Sequence, residues 1–200
     1  MADASDTPRP PEAQALAPQR MVEHVADFTD EDLHALCEAT AAAILDGGGF
    51  GWVSPPGMMA LETYFRGVLL VPERELFAAR LNGSIVGSAH LVRPPRNNEA
   101  QAHAAQLMHS YIAPYARAHG LARMLTTEVE NRARELGYHL LNLDVRETQE
   151  AAIRLYESLG YVRWGVHPDY AYVRGRPVRG FFYYKRLRRP GGRKAGQPAA

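Results

Sequence analysis

A mixed α/β fold, one sheet covered by helices on both faces, is predicted by three observations. The first is order: segments of strand and helix character run as strand, two helices, three strands, helix, strand, helix, two strands. The second is size, since 200 residues, 46% of them hydrophobic, suffice to bury a substantial core without disulfides or a structural metal. The third is continuity: residues 20–187 contain no internal repeat and no second linker, so they are read as one domain. Residues 1–19 are rich in Pro and Ala and nearly free of large apolar side chains, and are expected to be a disordered tail. Residues 188–200 carry Arg188, Arg189, Arg193 and Lys194 among Gly and Pro, and are expected to be a basic flexible tail.

Each element has its own signal. Arg20–Val25 reads as a short strand. Thr29 followed by Asp32 resembles a capping box and opens a helix that runs through Leu45. Gly47, Gly48, Gly49 and Gly51 break that helix, and Pro55-Pro56 precede a second one bearing Met59, Leu61, Tyr64 and Val68. Residues 75–81 and 84–92 are apolar and β-prone, separated by the hairpin signal Asn82-Gly83. A loop at Pro94, Pro95, Asn97 and Asn98 leads to a strand over 102–113. Leu121, Met124, Leu125, Val129 and Leu136 recur at helical spacing up to Gly137. A buried strand covers 140–145, and Ala152, Leu155, Tyr156 and Leu159 share one face of a helix stopped by Gly160. Strands at 161–167 and 178–187 follow, with a loop from Pro168 to Pro177 between them.

Composition excludes several classes. Cys37 has no partner, which rules out a disulfide scaffold and makes a reducing, cytoplasmic setting the expectation. A formal charge of +1 argues against a dedicated nucleic-acid binder with a basic surface, although the tail from Lys185 to Lys194 keeps an RNA-associated role open. No apolar run is long enough to span a membrane, and residues 1–20 lack a signal-peptide pattern. The eight histidines show no metal-ligand spacing, so no metal is expected. Cys37, on the first helix, is read as buried and inert.

The segment from Pro114 to Arg123 carries the clearest chemistry. A strand ends, a loop holds Arg117 and Gly120, and a helix begins at Leu121. Unpaired N–H groups and the positive end of the helix dipole make such a start an anion site, and small residues let a pyrophosphate approach the backbone. The loop lacks the Gly-Lys-Ser/Thr of a Walker loop and the three glycines of a dinucleotide fingerprint.

Arg117-x-x-Gly120-x-Ala122 is similar to the acyl-CoA pyrophosphate motif of the Gcn5-related N-acetyltransferase (GNAT) family. Ile112-x-Pro114 resembles that family's preceding strand end. Leu143-Asp144-Val145-Arg146 and the stretch from Ala152 to Tyr161 resemble its next strand and helix. The ordered likeness covers residues 102–187, and the C-terminal part loosely resembles the group that includes the tabtoxin resistance protein.

The resemblance implies a mostly antiparallel sheet of six to seven strands whose two central parallel strands splay apart. It implies acetyl-CoA as co-substrate, transfer to a primary amine, and CoA contacts from Ile112, Ala113, Arg117, Ala118, His119, Gly120, Leu121, Ala122 and Gln149. The backbone N–H of Ile112 is the implied oxyanion donor. Tyr156 takes the place of the tyrosine that protonates the CoA sulfur, although its spacing with Ala152 and Leu155 equally suits a core aromatic. Asp144 stands where relatives carry a general base, and alternatively is a strand-end carboxylate paired with Arg146.

Gln106 replaces another carboxylate common in the family. His109 has a suitable intrinsic pKa, but strand alternation puts it on the opposite face from Gln106 unless a bulge intervenes. Ala118 replaces a frequent glycine, which costs strain if that position has positive φ. Gln149 replaces a frequent asparagine. Phe50, Trp52 and Tyr170 are candidate acceptor contacts, with core packing the alternative. A non-catalytic acyl-CoA-binding module is the competing class, and monomer and homodimer are equally open.

Overall fold

The computed structural model describes residues 17–48 and 51–187. Of the expected tails at 1–19 and 188–200, residues 1–16 and 188–200 lie outside the described residues, as does Phe50, while Gln19 exchanges hydrogen bonds with Asn82 at the β2–β3 turn. The elements follow in the expected order as β1 (Arg20–Val25), α1 (Asp30–Leu45), α2 (Met58–Leu69), β2 (Arg74–Leu81), β3 (Ser84–Val92), β4 (Ala104–Ile112), α3 (Leu121–Glu135), β5 (Leu140–Arg146), α4 (Glu150–Ser158), β6 (Val162–Val173) and β7 (Arg176–Arg186). One sheet takes the order β1-β2-β3-β4-β5-β7-β6, antiparallel except for the β4/β5 pair.

Local chemistry accounts for the element ends. Thr29 Oγ1 accepts the Asp32 N–H at 3.1 Å, which caps α1. The reciprocal half of the box is absent, because the Asp32 carboxylate takes two hydrogen bonds from Arg80, at 2.6 and 2.8 Å. That guanidinium holds the Asp32 carboxyl below its usual pKa. The β2–β3 hairpin turns on Asn82 and Gly83, both at positive φ, as a type I′ turn requires.

The expected loop from Pro168 to Pro177 is instead strand. β6 and β7 continue to a tight turn at Arg174 and Gly175, with φ of 51° and 74°. Pro168 falls in the register break between His167 and Ala171 on an edge strand, where a missing N–H is tolerated. Tyr170 and Tyr172 therefore sit on a strand rather than a loop.

Each face of the sheet has its own core. Phe77, Leu91, Leu107, Leu125, Leu141 and Tyr183 pack under α3 and α4, and Leu33, Leu36, Leu61, Phe65, Leu76 and Ile85 pack under α1 and α2. Cys37 is fully buried in the second core, and burial pushes its thiol up to about 12, leaving it unreactive. Glu130, 3% exposed, fastens α3 to β7 through Lys185 Nζ at 2.6 Å and is also paired with Arg134 at 2.7 Å.

The centre of the sheet opens. β4 and β5 pair only at Ala104↔Leu140, Ala105↔Leu141 and Gln106↔Asn142, after which they diverge. The divergence coincides with a bulge in β4, where the register with β3 shifts between His90↔Met108 and Ser88↔Tyr111. At that bulge His109 has φ 48°, in the left-handed region.

Candidate active site

Two cavities meet where β4 and β5 part. One, of about 590 Å³, runs from the start of α3 along the end of β4 to the first turns of α4 and is lined by Ile112, Arg117 to Ala122, Gln149 and Tyr156, among others. The other, of about 450 Å³, opens on the α1/α2 side and is lined by His109, Asp144, Arg146, Tyr156, Tyr170 and Tyr172, among others. Ser110, Gln149, Ala152 and Tyr156 line both. The two cavities therefore share a wall at Tyr156 and the β4 bulge.

The first cavity has the form of an anion-binding helix start. Gly120 caps α3 at φ 73°; its carbonyl accepts from the Arg123 and Met124 N–H groups, at 3.1 and 3.2 Å, while the N–H groups of Leu121 and Ala122 precede the first intrahelical bond. Ala118 adopts φ 67°, so the strain attached to alanine at this position is present. Replacing it by glycine is expected to stabilise the protein by about 0.5–1 kcal/mol, a rise of about 1–4 °C in Tm by calorimetry.

The end of β4 supplies another part of the first cavity's wall. The Ala113 N–H donates to Val86 O at 2.8 Å, so by strand alternation the Ile112 N–H points the other way, into the gap. Ala113 itself is fully buried, is spent on β3 and does not line the cavity.

Two implied CoA contacts are turned toward the end of α1. Arg117 pairs with Asp46 at 2.6 Å, and the Gln149 amide donates to the Gly47 carbonyl. His119 lines the cavity, and its carbonyl accepts from Arg20 at 3.0 Å. Leu121 is 1% exposed and belongs to the α3 core as well as the cavity wall.

Tyr156 is a packed aromatic and at the same time part of the cavity wall. It is 6% exposed and packs edge-on against Tyr161 at 5.6 Å, yet it lines both cavities. Burial raises its pKa, partly countered by a hydrogen bond with Ser110, so the phenol is protonated at neutral pH.

Asp144 is not paired with Arg146 in an ion pair; its carboxylate accepts a hydrogen bond from the Tyr170 hydroxyl. Tyr170 can reach it because Gly180 lies beneath its ring, where a Cβ would collide with the aromatic carbons. Phe182 meets the same ring edge-on at 5.9 Å. Burial and the neighbouring Asp144 raise the Tyr170 pKa. Trp52 lines neither cavity and packs edge-on against Tyr64 at 5.0 Å.

The bulge brings in a residue that periodicity places elsewhere. His109 turns to the α1/α2 face, where its Nδ1 lies 3.0 Å from Tyr64 Oη and 3.4 Å from His90 Nδ1. Burial lowers the pKa of both histidines; His109 and Arg74 add to the effect at His90, and Arg74 does so at His109. The unfolded chain thus takes up these protons before the folded one does, and stability falls as the pH drops below about 6.5, the ordinary histidine value. His90 is fully buried, so the loss is expected to approach about 1.4 kcal/mol per pH unit for it. Urea unfolding at pH 7.5, 6.5 and 5.5 measures the slope, and His90→Asn should flatten it. The window lies above that of Asp32, whose lowered pKa acts only in the carboxylate range.

Sequence reasoning had no sign of this histidine pair, of Gly180 under Tyr170, or of Asp46 on Arg117. Among the described residues, no group of three or more His, Cys, Asp or Glu side chains is placed to hold a metal ion. No helix among them is long and apolar enough to cross a membrane.

The class of this α/β fold, with its splayed β4/β5 pair and helix start, is given by comparison with known proteins. The acetyltransferase (GNAT) family profile matches residues 41–161. An uncharacterized N-acetyltransferase from the hisH-hisA intergenic region of Azospirillum brasilense is 59% identical over 128 residues, covering 64% of this chain and 76% of that protein. An N-acetyltransferase structure from Staphylococcus aureus superposes with TM-score 0.73 at 20% identity, covering 85% of this chain and 99% of the other. A putative acetyltransferase from Salmonella typhimurium, solved with its cofactor acetyl-CoA, gives TM-score 0.69 at 20% identity over 88% of this chain and 98% of the other. The chain belongs to the GNAT family and is an N-acetyltransferase.

Proposed function

We propose that the protein transfers the acetyl group of acetyl-CoA to a primary amine, of a small molecule or a peptide N-terminus, by direct attack of the amine on the thioester. The observation that carries this reading is the shared wall of the two cavities, which brings a molecule from each side to one point beside Tyr156.

The residues of the first cavity fit acetyl-CoA. The N–H groups at the start of α3 bind the pyrophosphate, with Gly120 and Ala122 leaving room for it. Arg117 adds positive charge at the mouth, exchanging Asp46 for phosphate. The pantetheine arm lies along the unpaired edges of β4 and β5 beyond Gln106 and Asn142, within reach of the Gln149 amide. The Ile112 N–H points into this gap and stabilises negative charge on the carbonyl oxygen as the amine adds.

Tyr156 donates its hydroxyl proton to the sulfur as the C–S bond breaks. Asp144, held by Tyr170 on the opposite side, attracts the amine into the second cavity and orients it. The reaction fits a cytoplasmic enzyme, where acetyl-CoA is made and consumed.

The test is thiol release from acetyl-CoA in the presence of arylalkylamines, amino acids, polyamines and short peptides. Amine-dependent release is expected for at least one class. Slow hydrolysis that no amine accelerates would instead identify a non-catalytic acyl-CoA-binding module.

A further inference from the structure

We infer that His109 is the base that takes the proton from the acceptor amine, and that Tyr64 and His90 position it; the inference rests on the transfer reaction proposed above. The starting observation is the β4 bulge. Regular alternation from Ala105 and Leu107, both in the α3/α4 core, would send residue 109 into that core as well. The extra residue and the φ of 48° turn its side chain to the other face, into the wall of the second cavity. A left-handed conformation at a non-glycine residue costs on the order of 1 kcal/mol and persists only where surrounding contacts hold it.

Those contacts are specific. Tyr64 Oη lies 3.0 Å from His109 Nδ1, and the two rings meet edge to face at 6.3 Å. His90 crosses the same imidazole at 81° with ring centroids 5.0 Å apart. Tyr64 is braced in turn by Phe65, edge-on at 5.1 Å, and by Trp52. With Nδ1 engaged in this cluster we assign His109 the Nδ1–H tautomer, which places the basic lone pair on Nε2.

The charges around the ring suit a base. The titratable and charged groups that face it or share its cavity are Tyr64 from α2, Arg74 from β2, His90 from β3, Asp144 and Arg146 from β5, and Tyr156, Tyr170 and Tyr172 across the second cavity. Burial and Arg74 keep the imidazole neutral at neutral pH, while Asp144 favours the imidazolium formed on proton uptake. Asp144 is exposed and accepts from Tyr170, so it serves as the counter-charge rather than the acceptor of the proton.

The step balances without another reactant. The amine nitrogen forms its bond to the carbonyl carbon, its proton passes to His109 Nε2, the C–S bond breaks, and the thiolate takes the Tyr156 hydroxyl proton. The imidazolium proton then restores the phenol. Ser110, next to His109 in the chain and hydrogen-bonded to Tyr156, lies between the two groups.

The experiment compares the parent with His109→Gln and Tyr64→Phe, using the fastest acceptor from the amine panel. For the parent, kcat at saturating amine, which is free of the limb from the amine's own ionisation, should fall at pH values below the His109 pKa. His109→Gln is expected to lower kcat/KM about 100-fold and abolish that acidic limb, with the acetyl-CoA Kd within about twofold by calorimetry. An acidic limb that survives with its midpoint unmoved, or a fall smaller than about threefold, would overturn the assignment. Tyr64→Phe keeps the ring and its packing. It should shift the midpoint of the limb at unchanged acetyl-CoA Kd, and an unmoved midpoint overturns the positioning role even if His109→Gln fails to fold. A parent with no amine-dependent thiol release would contradict the transfer reaction itself, which separates the two failures.

Discussion

Gly120→Glu is expected to raise the acetyl-CoA Kd at least about 100-fold while the protein stays folded, a loss of about 2.7 kcal/mol or more of binding free energy. Two opposing terms act on the fold. Any side chain at φ 73° is strained by about 1–2 kcal/mol, although a Cβ here meets nothing closer than Arg20 Nη1 at 3.7 Å. A carboxylate at the start of α3 regains about 0.3–1 kcal/mol from the helix dipole. The substituted side chain thus satisfies the same N–H groups that are proposed to hold the pyrophosphate, and binding is lost to both charge and occupancy. Calorimetric titration with acetyl-CoA checks this, with Gly120→Ala as the control for strain alone. If Gly120→Glu binds with parental affinity, the pyrophosphate does not lie at this helix start.

The second large effect is expected at Tyr156. Tyr156→Phe removes one oxygen from a ring that keeps its packing against Tyr161, so folding and acetyl-CoA binding should change little. Losing the proton donor to the departing sulfur should lower kcat by about 10²–10³. The comparison that decides the role is kcat against Kd. A parental kcat would make Tyr156 a core aromatic only, and a raised Kd with unchanged kcat would make it a binding contact.

Most of the α3 site was legible in the sequence because it depends on local rules. Gly120 at a strand-loop-helix junction and the helical spacing of Leu121, Leu125 and Val129 reflect steric and periodic constraints that act over a few residues. The positive φ at Ala118 was readable as a condition attached to one residue. The hairpin at Arg174-Gly175 was missed because its first turn residue is an arginine, which carries none of the usual preference for positive φ, and because Pro168 and Pro177 suggest a loop. Edge-strand prolines are tolerated for a reason that only the strand order supplies.

The second cavity was much less readable. His109, inferred to be the base, changes face through one extra residue in β4, and no local signal marks the bulge. Trp52, read as an acceptor contact or a core aromatic, packs edge-on against Tyr64. Tyr170 does reach the cavity, but only because Gly180, ten residues away on the partner strand, leaves space for its ring.

By itself the sequence determined the element order, the helix start that suits an anion, and the absence of any disulfide partner for Cys37, since each follows from residue type and short-range spacing. The tertiary structure alone decided which side chains face the point where the two cavities join. That choice depends on strand register, on the parting of β4 from β5 after Gln106 and Asn142, and on packing between residues far apart in the chain. The free energy of such contacts exists only once the sheet has assembled.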